Sequence, residues 1–225
     1  MRTVARVYIA SIIALGTAIF IGSLTLDPHL PDTARFLQFL VLAALASTFK
    51  IRLPGMNGNI SLNFVIFLIG IRSLTLTETV LMAAVATAVQ AFWRAKTRPS
   101  MLKVMFNISV LVIGVTCAYL ASQQMRQTET QVPALVVAAT VLFVLNSWLV
   151  SFVLAFTSGE SALKIWRNCN RWAFMYYLMG AGVAALVITY SRAAGWGHAS
   201  AMLPAAYLIY SYVDVYVAKA QDVQA

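Results

Sequence analysis

Four polar side chains, Asn63, Gln90, Asn107 and Asp214, stand at the ends of long uncharged runs. Amides and a carboxylate supply hydrogen-bond donors and acceptors and little other reactivity. Within hydrocarbon such groups turn into a helix bundle and bond one another or a ligand. The chemistry they offer is recognition, either as interhelical bonds or as a binding pocket, and both readings stand. Asn146, Ser147 and Ser151 extend the same polar track towards mid-membrane.

Catalytic apparatus is not visible. No Ser/His/Asp, Cys/His, paired-carboxylate or H-E-x-x-H arrangement occurs, so the chain is expected to be no enzyme and to carry no cofactor. His29 and His198 fall in outer segments, near Asp27 and Asp32, without the spacing of a metal site, and none is expected. Cys117 and Cys169 form no disulfide framework.

The elements that must position these groups are membrane spans. Hydrophobic residues make up 61% of the 225 residues and charged residues 10%, and mean hydropathy is +0.81. Uncharged runs at 7–26, 104–125, 132–159, 172–191 and 193–213 each approach or exceed the roughly 20 residues that cross a bilayer. Residues 34–49 form a shorter run, with Arg35 and Lys50 able to snorkel to the two interfaces. Arg72 and Glu78 cut 60–93 into two short arms, either two spans or a re-entrant hairpin, with Thr77 placed to cap the second arm. An N-terminal secretory signal is not expected, because the first run is too long and lacks a cleavage pattern.

Charge sets the orientation. With the N-terminus inside, 12 of the 16 basic residues and three of the seven acids fall on the inner side. The positive-inside rule then puts both termini in the cytoplasm. The expected fold is all-α, a polytopic bundle of about eight membrane segments with the third and fourth short. Residues 1–217 form the transmembrane domain and 218–225 a cytoplasmic tail. Topology accounts for the basic pI of 9.9, and nucleic acid is not an expected partner.

Two further patterns concern the loops and the packing faces. Between Leu53 and Asn59, Pro54, Gly55 and Gly58 break any helix, so this segment is a connector or a half-buried loop beside a site. Asn63, Gln90, Asn107 and Asp214 all share inner depth and are expected to converge beneath it. Ala10, Ala14, Ala18 and Gly22 recur every four residues. That spacing permits close backbone approach, either within the bundle or to a second copy or another membrane subunit. Trp166, Trp172, Tyr176 and Tyr177 suit an interfacial belt, and Tyr207 and Tyr210 lie deeper.

Leu53-Pro-Gly, then Gly58-Asn-Ile-Ser-Leu62, a short apolar helix, Glu78, and an Ala-rich helix ending in Gln90 and Trp93-Arg94-Ala-Lys96 make up a distinctive series. It resembles the MASE-like multi-span membrane sensor domains attached to bacterial GGDEF and HD-GYP signalling proteins. Leu203-Pro204-Ala-Ala-Tyr-Leu-Ile-Tyr-Ser-Tyr resembles the last span of such modules. The likeness covers about residues 35–220. It implies a bacterial inner-membrane module that senses a ligand or membrane state and signals to a cytoplasmic partner. The sequence departs from that arrangement in ending at Ala225, short of an output domain. Val213, Tyr216, Ala220 and Val223 have the spacing of an a/d seam, as at the start of a signalling helix. The small-residue face of the first span is also similar to the docking face of substrate-binding subunits of energy-coupling-factor transporters. The alternative functions are therefore solute uptake or a structural role in a membrane complex.

Overall fold

The computed structural model describes residues 3–26, 32–48, 50–52, 59–61, 63–93, 95, 99–125, 131–170 and 173–195. Among these, helix dominates: α1 (Thr3–Leu26), α2 (Thr33–Thr48), α3 (Asn63–Ser73), α4 (Leu76–Phe92), α5 (Met101–Gln123), α6 (Val132–Ser158), α7 (Ala162–Asn170) and α8 (Ala173–Ala194). Four of them, α1, α5, α6 and α8, are long and apolar enough to cross a membrane. The predicted eighth segment, 193–213, lies outside the described residues apart from its first three positions.

The centre of the bundle is its shortest apolar helix. Asn63, Phe64, Ile66, Phe67, Leu68, Ile69, Gly70 and Ile71 of α3 are all buried. A helix that is apolar and covered all round is a core element. Its 11 residues reach about 16 Å, well short of the bilayer's hydrocarbon. Helices α2, α4, α5, α6 and α8 pack around it, and Gly180 of α8 makes that fit possible. A Cβ there would overlap the Phe64 ring.

Helix α1 sits to one side, against α5. Ala5, Ile9, Ile12, Gly16 and Ser23 face inward. At Gly16 an added Cβ would lie 2.6 Å from the Ser109 Cα, so the two backbones touch there. Tyr8 adds a long-range tie, its hydroxyl donating to the Leu149 carbonyl of α6 at 3.0 Å. Ala10, Ala14 and Ala18 are exposed instead. The small-residue stripe is therefore not the face that packs α1 into the bundle.

The α3–α4 turn carries a correction. The cap of α4 is Thr75, two residues earlier than the expected Thr77. Thr75 accepts from the Glu78 N–H at 3.2 Å, and Glu78 Oε2 accepts from the Thr75 N–H at 2.8 Å. This reciprocal pair satisfies two otherwise orphaned donors. Thr77 reaches across to α1, donating to the Ser23 carbonyl at 2.6 Å. Ser23 is in the last turn of α1, where carbonyls lack intrahelical partners.

Two elements were not foreseen. Lys50–Arg52 (β1) and Asn59–Ser61 (β2) pair antiparallel, with Lys50 opposite Ser61, Ile51 opposite Ile60 and Arg52 opposite Asn59. The ribbon returns the chain to its starting point, so α3 begins where α2 ends. Helix α7 occupies the stretch between the runs 132–159 and 172–191, where a connecting loop was expected. Helix α8 also continues past Arg192, where a break was expected, and closes at Gly195 with φ +84°. The Gly195 N–H bonds the Ser191 carbonyl at 2.9 Å, the αL form of helix ending.

Candidate functional site

Because the ribbon joins their helices, Ser47 near the end of α2 and Asn63 at the start of α3 come side by side. Asn63 Nδ2 donates to Ser47 Oγ at 3.4 Å and to Gln90 Oε1 at 3.0 Å. Ser47 in turn donates to the Ala43 carbonyl at 2.7 Å. Three helices thus meet through one amide, in a place where Asn63 is 7% exposed and Ser47 fully buried. The Asn63 amide and the neighbouring aromatic walls can bind a polar or amphipathic group, and they can equally hold α2, α3 and α4 in register.

Next to Asn63, Phe64 begins an aromatic wall. Its ring centroid lies 4.8 Å from that of Tyr176 and 4.9 Å from that of Tyr177. Phe143 of α6 stands 5.3 Å from Tyr177. The Tyr177 hydroxyl accepts from Asn146 Nδ2 at 3.5 Å. Two tyrosines read as part of an interfacial belt therefore turn inward and line the core. Asn146, expected to extend the polar track, lies beside this wall.

Trp166 of α7 joins the cluster through Phe143, with ring centroids 6.3 Å apart. Its Nε1–H donates to Ser147 Oγ at 2.9 Å. The ring stacks on Trp148 at 5.4 Å and 12°. Trp148 precedes the end of α6 by ten residues, or about 15 Å of helix. Helix α7 is accordingly folded back along α6.

The four expected site residues part company here. Asn63 and Gln90 meet. Asn107 is exposed on α5, and Asp214 lies outside the described residues, as do residues 53–58, His29, His198, Tyr207 and Tyr210.

One polar residue of note had been read as a break in hydropathy and as part of the family series, and not as a cap. Glu78 is 2% exposed, and its Oε1 has no hydrogen-bond partner among the described residues. The Thr75-x-x-Glu78 spacing is the sequence signal that identifies it as the reciprocal cap.

A family model, MASE9, matches residues 18–217, nearly the whole chain. The chain belongs to the MASE9 family. MASE domains are membrane sensor domains rather than catalytic ones, so this MASE9 chain is a membrane-embedded sensory module. Of the two resemblances noted in the sequence, the match supports the MASE-like one. Comparison with curated proteins found no match, and comparison with solved structures found none either.

Proposed function

We propose that this MASE9 domain is a non-enzymatic, multi-pass sensor of the bacterial inner membrane that transmits a signal to a cytoplasmic partner. In this reading about eight segments enter the membrane, both termini are cytoplasmic, and Asn63 and Gln90, with Asp214, belong to the ligand-responsive region. The supporting observation is the Asn63–Gln90 bond at 3.0 Å between two short helices, one residue before Phe64 begins the aromatic wall. Buried amide pairs beside aromatic faces suit recognition of a ligand with one polar and one apolar end. The exposed Ala10, Ala14 and Ala18 stripe offers a second copy or a membrane partner a route to dock.

Mass spectrometry of small molecules retained by the purified full chain tests the site. A species held by the native protein should be lost from Asn63→Ala and Gln90→Ala, while a Gly22→Ala control keeps it. Retention of the same molecules by all four proteins would remove the site from the proposal. Orientation has its own test, in cysteines placed at positions 29, 126 and 198. They should label only from outside, and cytoplasmic labelling of any one overturns the topology.

A further inference from the structure

We infer that α7 is a docking surface for anionic lipid headgroups at the inner leaflet, with Trp166 anchoring it to α6. Ala162, Ile165 and Trp166 are half-buried, on the side of α7 that meets α6. Lys164 and Arg167 are exposed and three residues apart, which puts them on one edge of the helix. Leu163, between the two faces, is 54% exposed. Because α6 takes up the apolar side, α7 presents outward the two cations with Leu163 beside them, a combination suited to anionic headgroups.

Depth agrees with that placement. Helix α6 has 27 residues, a length of about 40 Å against about 30 Å of hydrocarbon. Centred, it projects about 5 Å beyond the apolar layer, and Trp166, about 15 Å back, dips roughly 10 Å below the headgroup boundary. From that depth Lys164 and Arg167, on the opposite edge, meet the headgroups by snorkelling outward along α7. The cytoplasmic leaflet is the anionic one, and each nearby Lys or Arg adds roughly a fivefold preference for it. Glu160 is the acid that competes, 3.8 Å from Lys164 with both side chains largely exposed. Pairs of that kind are weak, and a lipid phosphate can displace this one. Two cations beside an apolar edge suit a headgroup better than a nucleic acid, which needs a longer basic stripe. The inference depends on the inner position of α7 and not on the Asn63 site.

Hydrogen exchange over residues 160–167 of the full chain, in phosphatidylcholine vesicles with and without phosphatidylglycerol, is the test. Exchange should slow by about fivefold or more with the anionic lipid, and high salt should reverse the change. In the Lys164→Gln/Arg167→Gln double variant the two lipids should give the same rate, and Leu163→Ser should weaken the response. Both cations are exposed, so the double variant is expected to keep the fold. Equal exchange in the two lipids, or a full response in the double variant, overturns the proposal. So does equal protection by soluble glycerophosphate, which would make the site one for free phosphate.

Discussion

Asn63 and Gln90 are 27 residues apart in sequence, yet the amide of one donates to the amide of the other at 3.0 Å. The contact spans two helices of opposite direction, one mostly buried and one capped at its far end by Thr75 with Glu78. Removing the donor leaves the Gln90 oxygen without this bond and Ser47 Oγ without its second one. Asn63→Ala should lower stability by about 0.6 kcal/mol, the average for a bond between membrane helices. Asn107→Ala, at an exposed position, should leave stability unchanged. Thermal unfolding in one detergent compares the two, and equal losses would refute the distinction.

The reciprocal cap gives a second comparison. Glu78→Ala removes the acceptor for the Thr75 N–H and should cost about 1 kcal/mol, with Thr75→Ala similar. Glu78→Gln keeps an oxygen in place and should cost less than either. If Glu78→Gln proved as damaging as Glu78→Ala, the charge would matter to stability and capping would not explain the burial of this residue.

On α1 two glycines should answer differently to the same methyl group. Gly16→Ala drives a Cβ into Ser109 and should destabilise the chain by about 1–3 kcal/mol, the scale of overpacking. Gly22→Ala meets nothing within 4 Å and should be neutral in the isolated chain. A loss of self-association in Gly22→Ala, with stability intact, would mark the outer stripe as an interface.

Trp166 anchors α7 through one polar bond and several ring contacts. Trp166→Phe keeps an aromatic ring but no donor for Ser147 Oγ, and should cost about 1 kcal/mol. Proteolysis near residues 159–162 should quicken as α7 detaches more often. An unchanged cleavage rate would mean that stacking alone holds the helix.

Much of this arrangement could be read from the chain before its structure. Long uncharged runs marked α1, α5 and α6 to within a few residues. Arg72 and Glu78 marked the α3–α4 turn, because charge in an apolar run is costly unless it stands at a helix end. The β1–β2 ribbon escaped notice because its strands have three residues each, too few to show period two, and the intervening Pro and Gly residues draw attention first. Helix α7 was missed because its charges read as a loop between spans. Arg192 suggested a break in α8, but a cation is favourable in a last helical turn and Gly195 is the actual stop.

Site residues were legible by height and not by direction. Position along a span sets depth, which Asn63 and Gln90 share, but the way a side chain points around its helix depends on packing. Asn107 therefore shares the depth and still faces outward. The inward turn of Tyr176 and Tyr177 was equally hidden, since interfacial and core tyrosines have the same composition. What turns them is Gly180, whose missing side chain admits the Phe64 ring against which they pack.

The buried α3 has a consequence for how the protein is made. At about 16 Å it is too short to be recognised and inserted as a span by itself. It must be carried into the membrane by its neighbours, and among the described residues its last cover is α8, more than a hundred residues later in the chain. Until Gly180 arrives, the Phe64 face remains open, so the aromatic cluster exists only once synthesis has reached α8. Assembly of the sensor is thus a late event in its own biogenesis, and any chain released before α8 would expose Phe64 to lipid and to quality-control machinery.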